Sequence, residues 1–291
     1  MTGLWVIAHE CGHRAFSDNI VFGDIVGLIL HSALLVPYHS WRISHAKHHQ
    51  NTNSMEKDEV FVPSTRSEVG EFQPFDEIPN PKAVALRVLA ITKMLVLGWP
   101  AYLFSHVTGR KYESFTSHFS PSSPLFGPDQ RHLIVLSDAA LIGVLGVLGY
   151  LAYNNSFAWL VRVYVIPYLI VNMWLVLITD LQHTDKTVPH YRAGEWQWLK
   201  GALCTIDRDY GILNHVFHHI GDTHVAHHIF HRMPHYHAEE ASAALKTVLG
   251  KHYRTVNVSP GLRGIAEALW DTAGNCICVE DVGSVLYFKS K

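Results

Sequence analysis

Two apolar runs stand almost back to back near the middle of the chain, at 133–153 (LIVLSDAALIGVLGVLGYLAY) and 157–182, with only a short polar stretch between them. The first holds a single charge, Asp138; the second has Arg162 near one end and Asp180 near the other. Each approaches the roughly 20 apolar residues that a helix needs to cross a bilayer. Spans at 133–153 and 158–180, joined as a hairpin, are therefore expected. Two other segments are apolar but interrupted: 20–38 carries Asp24, His31 and Pro37, and 84–107 carries Arg87, Lys93 and Trp99-Pro100. These read as helices that lie in the membrane interface or re-enter it. The expected fold class is all-α, an integral-membrane helical bundle with a polar helical cap. Residues 1–8 (MTGLWVIA) are too short to span and lack the basic start of a signal peptide.

Polar segments separate the apolar ones. Residues 63–82 hold four prolines, and 120–128 (SPSSPLFGP) is a loop by composition. Residues 237–250 read as an amphipathic helix ending at Gly250, and the tail 254–291 alternates weakly, as short strands would. Lys plus Arg total 23 against 25 Asp plus Glu, a net charge of −2, without the basic excess of a nucleic-acid binder. With 48% hydrophobic residues the chain is not intrinsically disordered. The 4 cysteines are too few for a disulfide scaffold, and Cys276-x-Cys278 lacks the second pair that would complete a zinc site.

The unusual count is 22 histidines. They concentrate in three clusters: His9-Glu10-Cys11-Gly12-His13, His45-Ala46-Lys47-His48-His49 and His224-Val225-Ala226-His227-His228. Random placement would produce one H-x-x-H-H roughly 0.1 times in a chain of this length. On a helix, positions i, i+3 and i+4 share a face, so each cluster aims its imidazoles at one point. Eight such rings exceed what one tetrahedral ion needs, which favours a two-metal site, and His183 at the end of an apolar run is a ninth candidate. His9-Glu10-x-x-His13 also fits the short H-E-x-x-H pattern of zinc metalloproteases, which explains neither H-x-x-H-H cluster. His31, His118 and His252 lie outside the clusters and are expected to matter far less.

Six stretches, WVIAHECGHRAFSD (5–18), LILHSALLVPYHSWRISHAKHH (28–49), DEVFVP (58–63), LITDLQHTD (177–185), DRDYGILN (207–214) and DTHVAHHIFHRMPHYHAEEA (222–241), make the chain resemble the integral-membrane fatty-acid desaturases over nearly its whole length. The likeness is closest to plant and fungal microsomal oleate Δ12 desaturases. It implies two iron ions held by His9, His13, His45, His48, His49, His183, His224, His227 and His228, with O2 as co-substrate. It also implies electrons from cytochrome b5 and its NADH reductase, an acyl-phospholipid substrate, and a multi-pass place in the endoplasmic reticulum with the site facing the cytosol. His218 matches a further recurrent histidine, expected behind the ligands rather than on the metal. Arg14 stands where plant members have another histidine. Asp180 replaces a usual tyrosine and Asp185-Lys186 a usual His-Pro, which puts carboxylates near the expected site. The resemblance further implies a single desaturase domain over 1–291 that lacks an N-terminal membrane hairpin before residue 9 and is inactive alone. Omega-3 desaturation, hydroxylation and conjugation belong to the same scaffold.

Topology must bring all three clusters to one membrane side, so an even number of crossings separates His49 from His183. The hairpin meets that parity if 84–107 is interfacial. Arg42, Lys47, Lys57, Arg66 and Lys82 lie in the cluster-bearing region and no basic residue occurs in 154–159, which by the positive-inside rule places the clusters in the cytosol. A histidine-rich metal transporter would need polar residues along complete spans, where the clear candidates offer Asp138 and Arg162.

Overall fold

The computed structural model describes residues 1–70, 80–256 and 261–288. Part of the proline-rich loop (71–79) and parts of the tail (257–260 and 289–291) lie outside the described residues. Helix α1 (Thr2–His13) carries the first cluster and closes on Arg14, which takes the left-handed conformation at φ 63°. Helix α2 (Ile20–Ala33) starts where the Asn19 side chain accepts from Phe22 N at 3.1 Å, a cap that satisfies one of the orphan donors of the first turn. Pro37, with its φ held at −73°, turns the chain by 106° into α3 (Tyr38–Asn51). The two helices touch closely at their elbow. A Cβ on Gly27 would stand 2.3 Å from the Tyr38 ring, so that position tolerates only glycine.

After a single turn, α4 (Arg66–Val69), come the long helices α5 (Asn80–Ser105) and α6 (Arg131–Asn155). Ser156 then reverses the chain and caps α7 (Phe157–Leu160) by accepting from Trp159 N at 3.2 Å. A π-turn at 161–165 joins α7 to α8 (Ile166–His183), so the two form one rod. Among the described residues, Asn80–Ser105, Pro128–Asn155 and Phe157–His183 are long and apolar enough to cross a membrane. Ile142, Leu145, Val147, Tyr150 and Tyr153 on α6 are exposed, a patch that lipid covers and water would penalise.

Helix α5 runs antiparallel to α8. Its early residues Ile91 and Met94 pack with Ile178 and Leu181, while Trp99 and Tyr102 pack with Val171 and Leu175. Its two ends meet different parts of the fold, the helix Leu262–Asn275 and the loop after α3. Arg87 lies over the Trp270 ring at 4.7 Å, and beyond the other end His106 Nε2 meets buried Glu59 at 3.1 Å.

The cap is built from β1 (His190–Tyr191), α9 (Trp198–Ala202), α10 (Leu213–Val216), α11 (His224–Ile229), α12 (Ala238–Leu249), α13 (Leu262–Asn275) and β2 (Val285–Leu286). Strands β1 and β2 pair antiparallel, His190 opposite Leu286. The helix expected over 237–250 is α12. The tail corrects the sequence reading: short pairings exist at Thr255 and β2, but α13 occupies its middle. Ile265, Ala268, Leu269 and Thr272 recur at helical spacing and bury on the end of α8, a contact that outweighs the weak local alternation.

Candidate di-metal centre

α1 and α3 present box histidines at i, i+4 or i, i+3, i+4, so each helix turns its imidazoles inward; the short α11 does the same. The five rings of His9, His13, His45, His49 and His227 form one group, with a ligating atom of each within 4.8 Å of the others. Their Nε2 atoms run in sequence: His13 to His9 at 3.1 Å, His9 to His45 at 3.1 Å, His45 to His49 at 3.1 Å, and His49 to His227 at 3.2 Å. A second group joins His48, His183 and His228, and His224 Nε2 lies 3.0 Å from His183 Nε2. All nine expected positions thus fall into two adjoining groups of imidazoles.

Hydrogen bonding cannot account for all of these contacts at once. A protonated ring nitrogen donates one hydrogen and has no lone pair left to accept, so it cannot serve two Nε2 neighbours. His9, His45 and His49 each have two. His228 Nε2 is buried with no hydrogen-bond partner. Lone pairs facing one another across about 3 Å are what imidazoles show around a shared cation with bonds of about 2.1 Å.

The outer nitrogens explain why the inner ones are free to ligate. His48 Nδ1 donates to Asp58 Oδ1 at 2.7 Å, and that fully buried carboxylate also accepts Asn53 N and Val60 N, each at 2.9 Å. Thr52 gives its hydroxyl hydrogen to His48 O at 2.8 Å, which leaves the oxygen to accept from His228 Nδ1 at 3.2 Å. His224 Nδ1 faces Ile220 O at 3.2 Å. Each bond places the proton on Nδ1 and the lone pair on Nε2. Burial, reinforced by the neighbouring rings, holds His13, His227 and His228 well below the usual histidine range and takes His224 down to about 3. They are neutral imidazoles at physiological pH, the form that binds Zn, Fe or Cu.

His218 is not in either group. It adopts φ 52° and packs against Gly3, with its ring 4.8 Å from that of His235. Asp180 is hydrogen-bonded by Thr184 at 3.2 Å and lines the cavity with His183, and Asp185 pairs with Arg208 at 3.2 Å. Glu10, which a protease would use as base, is buried and accepts His235 N at 2.9 Å. Burial alone would raise its pKa, but hydrogen bonds from His235 and His9 outweigh that and hold it at about 2. It ties α1 to the turn after α11 instead of facing a reacting water.

Sequence reasoning missed several neighbours. Asp58 lay inside DEVFVP without a role, and Thr52 gave no signal. His231 stands 5.6 Å from the His13 ring. His31 and His118, outside the three clusters, are both fully buried. His31 lies between Trp5 and Trp41, which stack on His9 and His45, and His118 Nε2 bonds Ser44 at 3.0 Å.

An apolar cavity opens against the two groups. Trp5, Trp41, Trp99, Tyr102, Leu175 and Val176 line it, and His45, His48, His183 and His224 form its polar end. Such a cavity suits a hydrocarbon chain laid against the metal ligands.

Fold and site together define a membrane helical bundle whose cap holds a histidine-rich di-metal centre, an oxidoreductase architecture. The chain belongs to the fatty acid desaturase family, whose model matches residues 1–260. It is 52% identical over 280 residues to an omega-6 fatty acid desaturase, endoplasmic reticulum isozyme 2, of Glycine max, covering 96% of this chain and 70% of that protein. It is 48% identical over 296 residues to a delta(12)-oleate desaturase of Trichosanthes kirilowii, covering 99% and 78%. An oleoyl-12-hydroxylase of Ricinus communis is 47% identical over 296 residues, covering 100% and 74%.

Proposed function

We propose that this chain is an acyl-lipid Δ12 desaturase of the endoplasmic reticulum, converting oleoyl to linoleoyl chains at a di-iron centre. The observation that carries the reading is the pair of imidazole groups that line an apolar cavity. His9, His13, His45, His49 and His227 would hold one ion, and His48, His183, His224 and His228 the other. A bound iron pair supplies oxygen activation strong enough to take two hydrogens from an unactivated methylene, which no side chain removes by acid–base chemistry. The protein's own part is positional. Trp5, Trp41 and Trp99 exclude water and clamp the chain, and the depth of the cavity selects the carbon pair beside the histidines. Asp58 and Thr52 keep His48 and His228 in the ligating tautomer.

The substrate is an acyl-phospholipid, and the electrons come from cytochrome b5 and its NADH reductase. The site faces the cytosol, supported by the basic residues around it and none in 154–159. Helix α5 lies along the interface and α6 with α7–α8 crosses and returns, the even number of crossings that keeps His49 and His183 on one side. The one domain spans 1–291. The Ricinus relative supports a second reading, hydroxylation at the same position. Expression in a yeast that makes no polyunsaturated fatty acids, followed by fatty-acid chromatography, tests both. Linoleate is expected; a hydroxylated or omega-3 product overturns the regiochemistry and keeps the centre.

A further inference from the structure

Apart from the di-metal centre, a second set of imidazoles and carboxylates gathers where the loop before α11 meets α12. His219 is its hub. Its Nδ1 lies 3.0 Å from Asp222 Oδ2, its Nε2 lies 3.0 Å from His215 Nδ1, and the same Nε2 lies 3.5 Å from Glu239 Oε2. A ligating atom from each of His219, Asp222 and Glu239 falls within 4.8 Å of the other two. The Asp222 carboxylate also has a buried oxygen, Oδ1, with no hydrogen-bond partner.

The arrangement has the grammar of a metal-binding histidine. A carboxylate behind one ring nitrogen takes its proton, which fixes the tautomer and points the lone pair of the other nitrogen outward. Here that outward nitrogen meets a second imidazole nitrogen and a carboxylate oxygen. Two imidazoles with carboxylate oxygen suit a borderline divalent cation such as Zn²⁺, whereas Mg²⁺ prefers an all-oxygen shell and keeps its waters. None of the four residues belongs to the nine around the cavity.

We propose that His215, His219 and Glu239 form a surface site for a zinc-like divalent cation, with Asp222 orienting His219. The ion would pin the 215–222 segment to α12. That segment leads directly into His224, so the site acts as a clamp on the third histidine cluster. Its ligands are separate from the nine histidines of the proposed iron centre.

The test is metal analysis of the purified, iron-loaded full chain after equilibration with micromolar Zn²⁺ and desalting, beside His219→Ala and Glu239→Gln. Glu239 is largely exposed, its side chain at 67%, so Glu239→Gln leaves the fold intact. Wild type should retain about one zinc per chain beyond both variants, with equal iron in all three. Excess Mg²⁺ should not displace it, and zinc should raise the melting temperature of wild type but not of Glu239→Gln. Equal zinc in wild type and both variants overturns the site. Zinc that falls only together with iron also overturns it, because the zinc then occupied the di-metal centre.

Discussion

Replacing Asp58 by Asn should weaken iron retention without unfolding the cap. The Asp58 carboxylate is fully buried and serves four donors at once: the His48 imidazole at 2.7 Å, the backbone of Asn53 and Val60, each at 2.9 Å, and Phe61 N at 3.4 Å. Alanine would strand all four, at about 1–3 kcal/mol each, or roughly 4–12 kcal/mol. That rivals the whole stability of a domain, about 5–15 kcal/mol, so alanine tests folding rather than the site. Asparagine keeps one acceptor oxygen but sets an amide N–H₂ against a backbone donor and removes the charge that makes His48 a strong ligand. Loss of such a partner costs about 10- to 100-fold in metal affinity, or roughly 1.4–2.7 kcal/mol. The assay is iron per chain after dialysis against graded chelator, with far-ultraviolet circular dichroism as the folding control. Wild-type retention by a folded Asp58→Asn would refute the claim that this carboxylate holds His48 in its ligating form.

Three further outcomes follow from particular contacts. His227→Ala removes a ring bonded into the five-histidine group and should abolish desaturation and lower bound iron, whereas His252→Ala, at an exposed position, should leave both unchanged; iron analysis with product chromatography checks this. Gly98→Phe should cut conversion of long acyl chains by about 100-fold through misplacement while iron stays bound, because even a Cβ there lies 3.3 Å from Val176 and the ring must enter the cavity. Burial raises the Asp207 carboxyl to about 7 despite hydrogen bonds from Tyr253 and Val225 N. Between pH of about 4 and 7 the folded chain therefore keeps a proton that the unfolded chain releases, so its stability falls as pH rises. Asp207→Asn should remove that slope, gaining on wild type in melting temperature from pH 5 to pH 8.

The histidine clusters were legible because i, i+3, i+4 spacing is a local signal that any helix converts into one face. The α6 and α7–α8 hairpin was legible for a similar reason: uninterrupted apolar length needs no knowledge of neighbours. Asp58 was not, since its meaning comes from a turn that carries it back to His48. The burial of His31 and His118 gave no local signal, because packing between Trp5 and Trp41, or against Ser44, is decided by distant helices. His218 lies close in sequence to the third cluster, yet its left-handed backbone turns it toward Gly3. Helix α13 was hidden for the opposite reason: its apolar positions are sparse and gain their energy only against α5 and the end of α8. Asp180 and Asp185, which looked threatening from their place in the chain, are engaged by Thr184 and Arg208.

The most direct test of the account is the metal content of the purified chain, reconstituted under reducing conditions with both iron and zinc available. Nine convergent imidazoles in two adjoining groups predict about two irons per chain, magnetically coupled in Mössbauer spectra and lost when His48 is replaced by Ala. A single tightly held zinc, retained by His48→Ala and removed only by changes at His9 or His13, would contradict the di-metal centre.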